Sequence, residues 1–569
     1  MRAISNRCGN GWSGPNDMLQ AIHQANGDRP MTSTEIRAGE AQLRHRAKQS
    51  LEAGQWDAAQ AAFEELARRM PHDVPLRMEL ADLMLRRGQM RAATGQLLQA
   101  VPALPNSAPL IAELAWRLSM TGEIQAARAC AEHLERAPHP PGWVLAEQAH
   151  LRWMLGDIPA ARARMDLAVA AGIESRTEYY LHAMLLQFTG QLAEAEAVLL
   201  ETLQRWPDHG EAAVILANLR RQTAAANHLD LLQKRLGHLP GGNDMQAGVT
   251  RAKFESAIFK VLDDLGRHDE AWLALERSNA LMHSFLPYDA DGEVALTDAL
   301  IEAAATIGGA KATPAVFEGP MPIFIVGMPR SGTTLLDHML SAHSAVASAG
   351  EINDFQRQLH WVANVSPHGN QQSLLKIIGR IGRLDFHELG ARYLLQTQWR
   401  ARGRRYFIDK LPINVRMVPF IRRALPQAPI LHLVRDPMDV CYSNLKAMFG
   451  SASPYCYDMQ TLSHYYKQYI RLTDHWRAAL PDAMRDIPYA SLVRDPKSTM
   501  RQVLGHCGLE IEEACLRPEL NTSPVATPSS AQVRESIHTR SIAQWRHYEK
   551  QLEPLRQALA AGLPSTTTV

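Results

Sequence analysis

The sequence predicts an all-α helical-repeat superhelix followed by an α/β domain with a parallel sheet and a P-loop-like phosphate cradle. Three observations carry that prediction. Glycines recur at a spacing of 34 residues through the first half. Beyond about residue 320, short apolar runs alternate with longer amphipathic segments. At 324–340 the chain reads "FIVGMPRSGTTLLDHML", an apolar strand, a loop framed by two glycines, and a helix. A chain of 569 residues exceeds what one core serves, so two or more domains are expected.

The repeat register comes first. Gly54, Gly88, Gly122, Gly156 and Gly190 are each followed five residues later by Ala59, Ala93, Ala127, Ala161 and Ala195. Seven residues earlier stand Ala47, Ala81, Ala115, Ala149 and Ala183. Each glycine falls where one helix ends and the chain must turn. The alanines allow paired helices to approach closely, and Pro71, Pro105 and Pro207, on the same grid, end the second helix of a pair. A sixth unit keeps Ala217 without its glycine, and a seventh around Gly266 restores the pattern with Ala271. "HLPGGND" at 238–244 marks an irregular insertion between them. The period resembles that of the tetratricopeptide repeat. Six to seven units over 38–283 would stack into a superhelix whose concave groove suits a peptide or partner helix. Self-association as a homodimer and rigid spacing are the plainer alternative uses.

Flanking segments complete the division. Residues 1–37 have no apolar run of signal-peptide type and read as a disordered leader, within which Met31 is an alternative start to Met1. "IGGAKATPAVFEGPMP" (307–322) closes a linker over 284–320, and the α/β domain is expected over 321–560. Strands are expected at Ile323–Val326, Tyr406–Ile408, Ile430–Val434 and before Tyr489. Helices are expected over 334–341, 415–424, 438–449 and 498–507. Strands alternating with helices argue for a parallel sheet, whose ligands sit at the carboxyl ends of its strands.

Composition excludes several classes. Sixty basic residues nearly balance 59 acidic ones, so no overall field draws the chain to nucleic acid or anionic lipid. The six cysteines are scattered without ligand spacing, which argues for a reducing compartment and against a zinc site or disulfide framework. No apolar run nears the roughly 18 residues that span a membrane. A cytoplasmic protein without a membrane span is expected.

The glycine-framed loop raises a chemical question. Its backbone amides and the helix terminus suit an anion. Where the nucleoside triphosphatases carry lysine, however, this chain carries Thr333. The cation is Arg330, inside the loop, with Ser331, Gly332, Thr333 and Thr334 around the cradle. A planar guanidinium fits a group presenting several anionic oxygens. A second segment, "APILHLVRDPMDVCYSNLKAMF" (428–449), places Arg435 at a strand end and Ser443 eight residues later. Lys410 and Tyr489 each follow a strand.

"PRSGTT" (329–334) resembles the 5′-phosphosulfate loop of the sulfotransferases, and residues 321–550 resemble that superfamily throughout. Within it, the chain resembles the tyrosylprotein sulfotransferases and their bacterial repeat-bearing relatives. The resemblance implies 3′-phosphoadenosine 5′-phosphosulfate (PAPS) as donor substrate, with no metal. It implies that Arg435 and Ser443 hold the 3′-phosphate, with Lys446 a partial stand-in for a basic residue the family has where this chain has Ala447. It assigns Glu351 as base, 21 residues beyond Arg330, and Lys410 as the cation for the leaving bridging oxygen. The segment "SSAQVRESIHTRSIAQWRHYEKQL" (529–552) resembles the one that closes over the donor. Arg534 is assigned there to donor binding, and Arg540 and Trp545 to structure. His343, an alternative base, falls at a helix end where a capping role is expected.

The expected activity is therefore sulfuryl transfer from PAPS to a hydroxyl, with a peptide or protein tyrosine captured partly by the repeats. Two alternatives stand beside it: a sulfotransferase for a small molecule, lipid or glycan whose repeats serve assembly, and a nucleotide-binding scaffold without catalysis.

Overall fold

The computed structural model describes residues 33–239, 241, 244–309, 317–367, 370–527 and 530–561. The expected leader lies outside the described residues as far as residue 32, and helix Ser33–Glu52 begins within its last five positions. Pro240, Gly242 and Asn243 of the expected insertion, and 310–316 of the expected linker, also lie outside them.

All five glycines on the 34-residue grid adopt positive φ, from +70° to +89°, as does Gly266 at +74°. L side chains avoid that region, and each glycine turns the chain between two antiparallel helices. The alanines of the register are fully buried, Ala81 and Ala93 among them, so the helices of a pair pack closely. Helices Trp56–Arg69 and Leu192–Arg205 stop two residues short of Pro71 and Pro207.

Five parallel strands follow: β1 (Met321–Gly327), β2 (Val346–Ser348), β3 (Tyr406–Lys410), β4 (Ile430–Val434) and β5 (Arg485–Pro488), in the order β2-β3-β1-β4-β5. Strand order reverses at β1, so the loop after β1 opens at the switch point where ligands bind in such sheets. Ile323 and Ile325 pack on one face with helices Thr333–Ser341 and Pro496–His506. Phe324 and Val326 face the other way, into a core with Phe355, Tyr393 and Trp476. Both faces are covered, which is why these strands read as unbroken apolar runs.

Three expectations change. The segment 284–320 is not a bare linker, because helix Ala290–Gly309 occupies its middle and buries Leu296, Leu300, Ala304 and Ile307 in the larger core. Spacing of three and four residues gives that helix one apolar stripe. The helix expected over 438–449 spans only Pro437–Leu445, and the one expected over 415–424 is a 3₁₀ turn, Pro412–Met417, followed by an α-helix, Val418–Ala424. Pro419 lacks the amide that a continuous helix would need.

The boundary expected at 283 falls inside one packing unit. Phe259 and Trp272, on the last pair of repeat helices, share a core with Tyr442 and Tyr548 of the α/β domain. Tyr548 donates to Asp263 at 2.6 Å, and Asn279 Nδ2 donates to Leu445 O at 3.0 Å.

Candidate active site

The β1 loop turns tightly because two glycines permit close approach. A Cβ on Gly327 would lie 2.8 Å from Leu433 O, and one on Gly332 (φ +109°) would lie 2.4 Å from the Tyr489 ring. Between them Arg330 takes φ +66°, an uncommon conformation for a non-glycine residue. Ser331, Thr333 and Thr334 are buried at the start of the following helix. The Ser331 hydroxyl is buried without a hydrogen-bond partner, beside the loop amides. Such an atom at an anion cradle fits a ligand oxygen. Burial, with the like charge of Arg435 adding to it, brings the Arg330 guanidinium down to about 10.

Arg435 closes one side. Its guanidinium lies 4.7 Å from the Tyr489 ring centroid and donates to Arg330 O at 2.8 Å and to Ser541 O at 2.6 Å. Ser443 is buried on helix Pro437–Leu445, nearly two turns in. Lys446 caps that helix and donates to Gln544 at 2.9 Å, and burial pushes its ammonium down to about 8. A cavity of about 290 Å³ opens beside Ser331 and Arg435, lined also by Tyr469, Arg477 and Pro488.

Glu351 and Lys410 meet on the other side. Lys410, the last residue of β3, is fully buried and donates to Glu351 Oε1 at 2.5 Å, while the Glu351 side chain is 40% exposed. Register places Lys410 beside Ile325 of β1, two residues before Gly327. Asp337, one turn into the loop helix, accepts from Ser348 at 3.0 Å. Burial raises its carboxyl to about 6 against the pull of Lys410.

Arg330, Ser331, Gly332, Thr333, Thr334, Glu351, Lys410, Arg435, Ser443 and Tyr489 thus fall at the carboxyl ends of the strands or on the helices that follow them. Arg534 does not join them. It reaches Phe188 O at 3.0 Å, Ser523 O at 3.1 Å and the turn at Gly190, beside Asn521, which bonds the loop helix at His338 and Ser341 rather than at its amino terminus. The carboxyl-terminal segment instead meets the cradle at Ser541, Ala543 and Gln544, where Ala543 N donates to Asp439 at 3.0 Å. Arg540 pairs with Glu535, and Trp545 packs on the larger core. His343 Nδ1 accepts from Ala345 N at 3.0 Å and its Nε2 meets Glu510 O at 3.1 Å, a structural role. Sequence reading missed Asp337 and Asp439. A lone carboxylate among Leu335, Leu336, Met339 and Leu340 was the available signal for the first.

Among the described residues no three His, Cys, Asp or Glu side chains gather as a metal site, and no helix is long and apolar enough to cross a membrane.

Two segments of the chain are similar to known proteins. Residues 322–513 match the sulfotransferase family and residues 50–118 the tetratricopeptide repeat. An uncharacterized protein of Aquifex aeolicus (strain VF5) is 27% identical over 446 residues, 70% of this chain and 57% of that relative. Protein-tyrosine sulfotransferase 1 of Danio rerio is 24% identical over 245 residues, 41% of this chain and 68% of that one. The solved sulfotransferase domain of the Synechococcus PCC 7002 olefin synthase aligns over 45% of this chain and all of that domain, at 22% identity and a TM-score of 0.26. The chain spans little more than half the length of the Aquifex relative. The likeness to the sulfotransferase family thus lies in the α/β domain, and that to the tetratricopeptide repeat in the amino-terminal half.

Proposed function

We propose that this protein moves the sulfuryl group of PAPS to a hydroxyl acceptor, a tyrosine of a peptide or protein held partly by the repeats. One observation carries the reading: a lysine-free, glycine-framed cradle with Arg330 and a partnerless buried Ser331 hydroxyl stands between Arg435 and the Glu351–Lys410 pair. PAPS has a 5′-phosphosulfate for the cradle and a 3′-phosphate for Arg435, Ser443 and Lys446.

The residues divide the chemistry by exposure. Glu351 faces solvent, where an acceptor arrives, and its carboxylate takes the proton as the acceptor oxygen bonds to sulfur. The bond from sulfur to the bridging oxygen breaks, and buried Lys410 neutralises the charge left on 3′,5′-adenosine bisphosphate (PAP). Arg330 holds the equatorial oxygens in line. A phenol of pKa near 10 is within reach of such a base. The acceptor assignment draws on the exposed Trp116, Trp143 and Trp153, on the first helices of two consecutive repeats. Aromatic faces of this kind bind extended chains.

Thermal unfolding with nucleotides tests the donor. PAP should raise Tm, and ATP with magnesium should not; equal stabilisation by ATP overturns the assignment. Incubating PAPS labelled with ³⁵S and a cell extract tests the acceptor, since label confined to lipid, glycan or small phenols excludes a protein. Glu351→Gln should leave PAP binding unchanged and lower turnover by roughly 10²–10⁴-fold.

A further inference from the structure

One helix, Asp354–Ala363, begins three residues after Glu351 and is fastened to three consecutive repeats. At its first residue the fully buried Asp354 meets Arg400 Nη2 at 3.3 Å, and the same guanidinium donates through Nη1 to Leu155 O at 2.6 Å. In its middle, buried Gln358 donates to Gly122 O at 2.7 Å and accepts from Arg392 at 2.9 Å. At its end Arg91, from helix Met90–Ala100, donates to Trp361 O at 3.1 Å and Val362 O at 2.7 Å. Trp361 O also accepts from the capping amide of Asn364 at 3.0 Å, and both carbonyls lie in the last helical turn, where partners from outside are common. Its ten residues, about 15 Å, lie across the edge of the array.

The turns themselves are shaped for the contact. A Cβ on Gly122 would lie 2.6 Å from Gln358 Nε2, and one on Gly156 would lie 2.8 Å from Arg400 Nη1. Gly54 and Gly88 hold the same place in their repeats and the same sign of φ, yet nothing lies within 4 Å of a Cβ there. These two docked turns therefore need glycine twice, for the backbone and for the neighbouring domain.

We infer that the repeat array is a working part of the active site. Arg400, Gln358 and Arg91 act as positioning residues that set the start of helix Asp354–Ala363, and with it the Glu351 carboxylate, three residues upstream. The inference rests on Glu351 being the base in the reading above. Misplacing such a group by about 1 Å costs on the order of 10²-fold in rate.

Four full-length glycine variants and an Arg400 pair test it, with Gly54→Ala and Gly88→Ala as controls and Gly122→Ala and Gly156→Ala as probes. All four place alanine at positive φ. Only the probes push aside the far end of a side chain from the α/β domain, which displaces the contact without opening a core. Three readouts apply: hydrogen exchange of amides 350–363, the PAP-induced shift in Tm, and PAP release from PAPS with a Glu/Tyr copolymer or water as acceptor. In the probes exchange should quicken at least about 5-fold and turnover should fall about 10–100-fold relative to the controls, with the PAP shift retained. Arg400→Lys should recover part of the turnover lost in Arg400→Ala. Equal exchange and equal turnover in probes and controls overturn the inference. A wild-type protein that is not stabilised by PAP sinks the functional reading, and the exchange comparison then still decides whether the array positions residues 350–363.

Discussion

The front and the rear of the repeat array hold the α/β domain by different physics. Residues 47–155 have an apolar cluster of their own, onto which the domain places Trp399, and otherwise meet the domain through polar contacts: Arg91 on Trp361 and Val362, Gln358 on Gly122, Arg392 on Glu123, Arg400 on Leu155. From Ala183 onward the array shares one apolar core with the sheet, in which Phe259 and Trp272 pack on Tyr548. The front touches the helix after Glu351, the proposed base. The rear touches helix Pro437–Leu445, which carries Ser443, proposed above to bind the donor. Polar docking sets position at modest cost to stability, whereas a shared core makes two segments fold as one.

The largest effect expected from this difference is loss of the fold. Removing residues 1–283 uncovers Tyr442, Tyr548 and Leu445, so the remaining chain should show no cooperative melting transition and no PAP-induced shift in Tm. A sharp transition in that truncated chain would break the comparison. The proposed contribution of the rear to donor binding is better measured by point changes.

Next in size are paired substitutions. Trp272→Ala, at a side chain 6% exposed, should cost about 3–5 kcal/mol and weaken PAP binding. Arg392→Ala leaves Glu123 buried without its ion pair and should cost about 1.5–3 kcal/mol, leaving PAP affinity unchanged and lowering turnover. Denaturant titration and calorimetric PAP binding on the two variants check the split. Equal losses of PAP affinity would erase the distinction between front and rear.

The smallest effect is a pH dependence on the donor side. Lys446 is held down to about 8, first by burial, from an ordinary value near 10.4. A phosphate favours the charged form, so binding takes up a proton above that pH. PAP affinity should therefore be flat below about pH 8 and decline above it, and flat throughout in Lys446→Met. Without ligand the sign reverses for stability: the depressed value costs stability below about pH 8, a cost that fades as pH rises toward the unfolded value. Tm against pH for the two proteins reads that difference.

Several features were legible from residues alone because each is local. A turn that needs positive φ selects glycine, and five such turns at one spacing declared the array. A strand, a glycine-framed loop and a helix in immediate succession likewise declared the cradle, and Arg435 and Lys410 stood at strand ends in the sequence as they do in the sheet. Arg534 was misplaced for the opposite reason. Its segment has no periodicity that fixes where it goes, and Phe188, to which it donates, lies more than 300 residues away. The linker expected over 284–320 failed similarly, since the stripe that makes its helix is apparent only against the core that buries it.

By itself the sequence determined the repeat register, the parallel α/β class and the anion cradle with its arginine, because backbone conformation and side-chain period are properties of short stretches. Only the tertiary structure decided that the array ends inside the core of the α/β domain, and that Gly122, Gly156 and Gly190 carry Gln358, Arg400 and Arg534. Those contacts join residues more than 200 positions apart. No local preference encodes them, and they form only when two independently patterned surfaces exclude the same water.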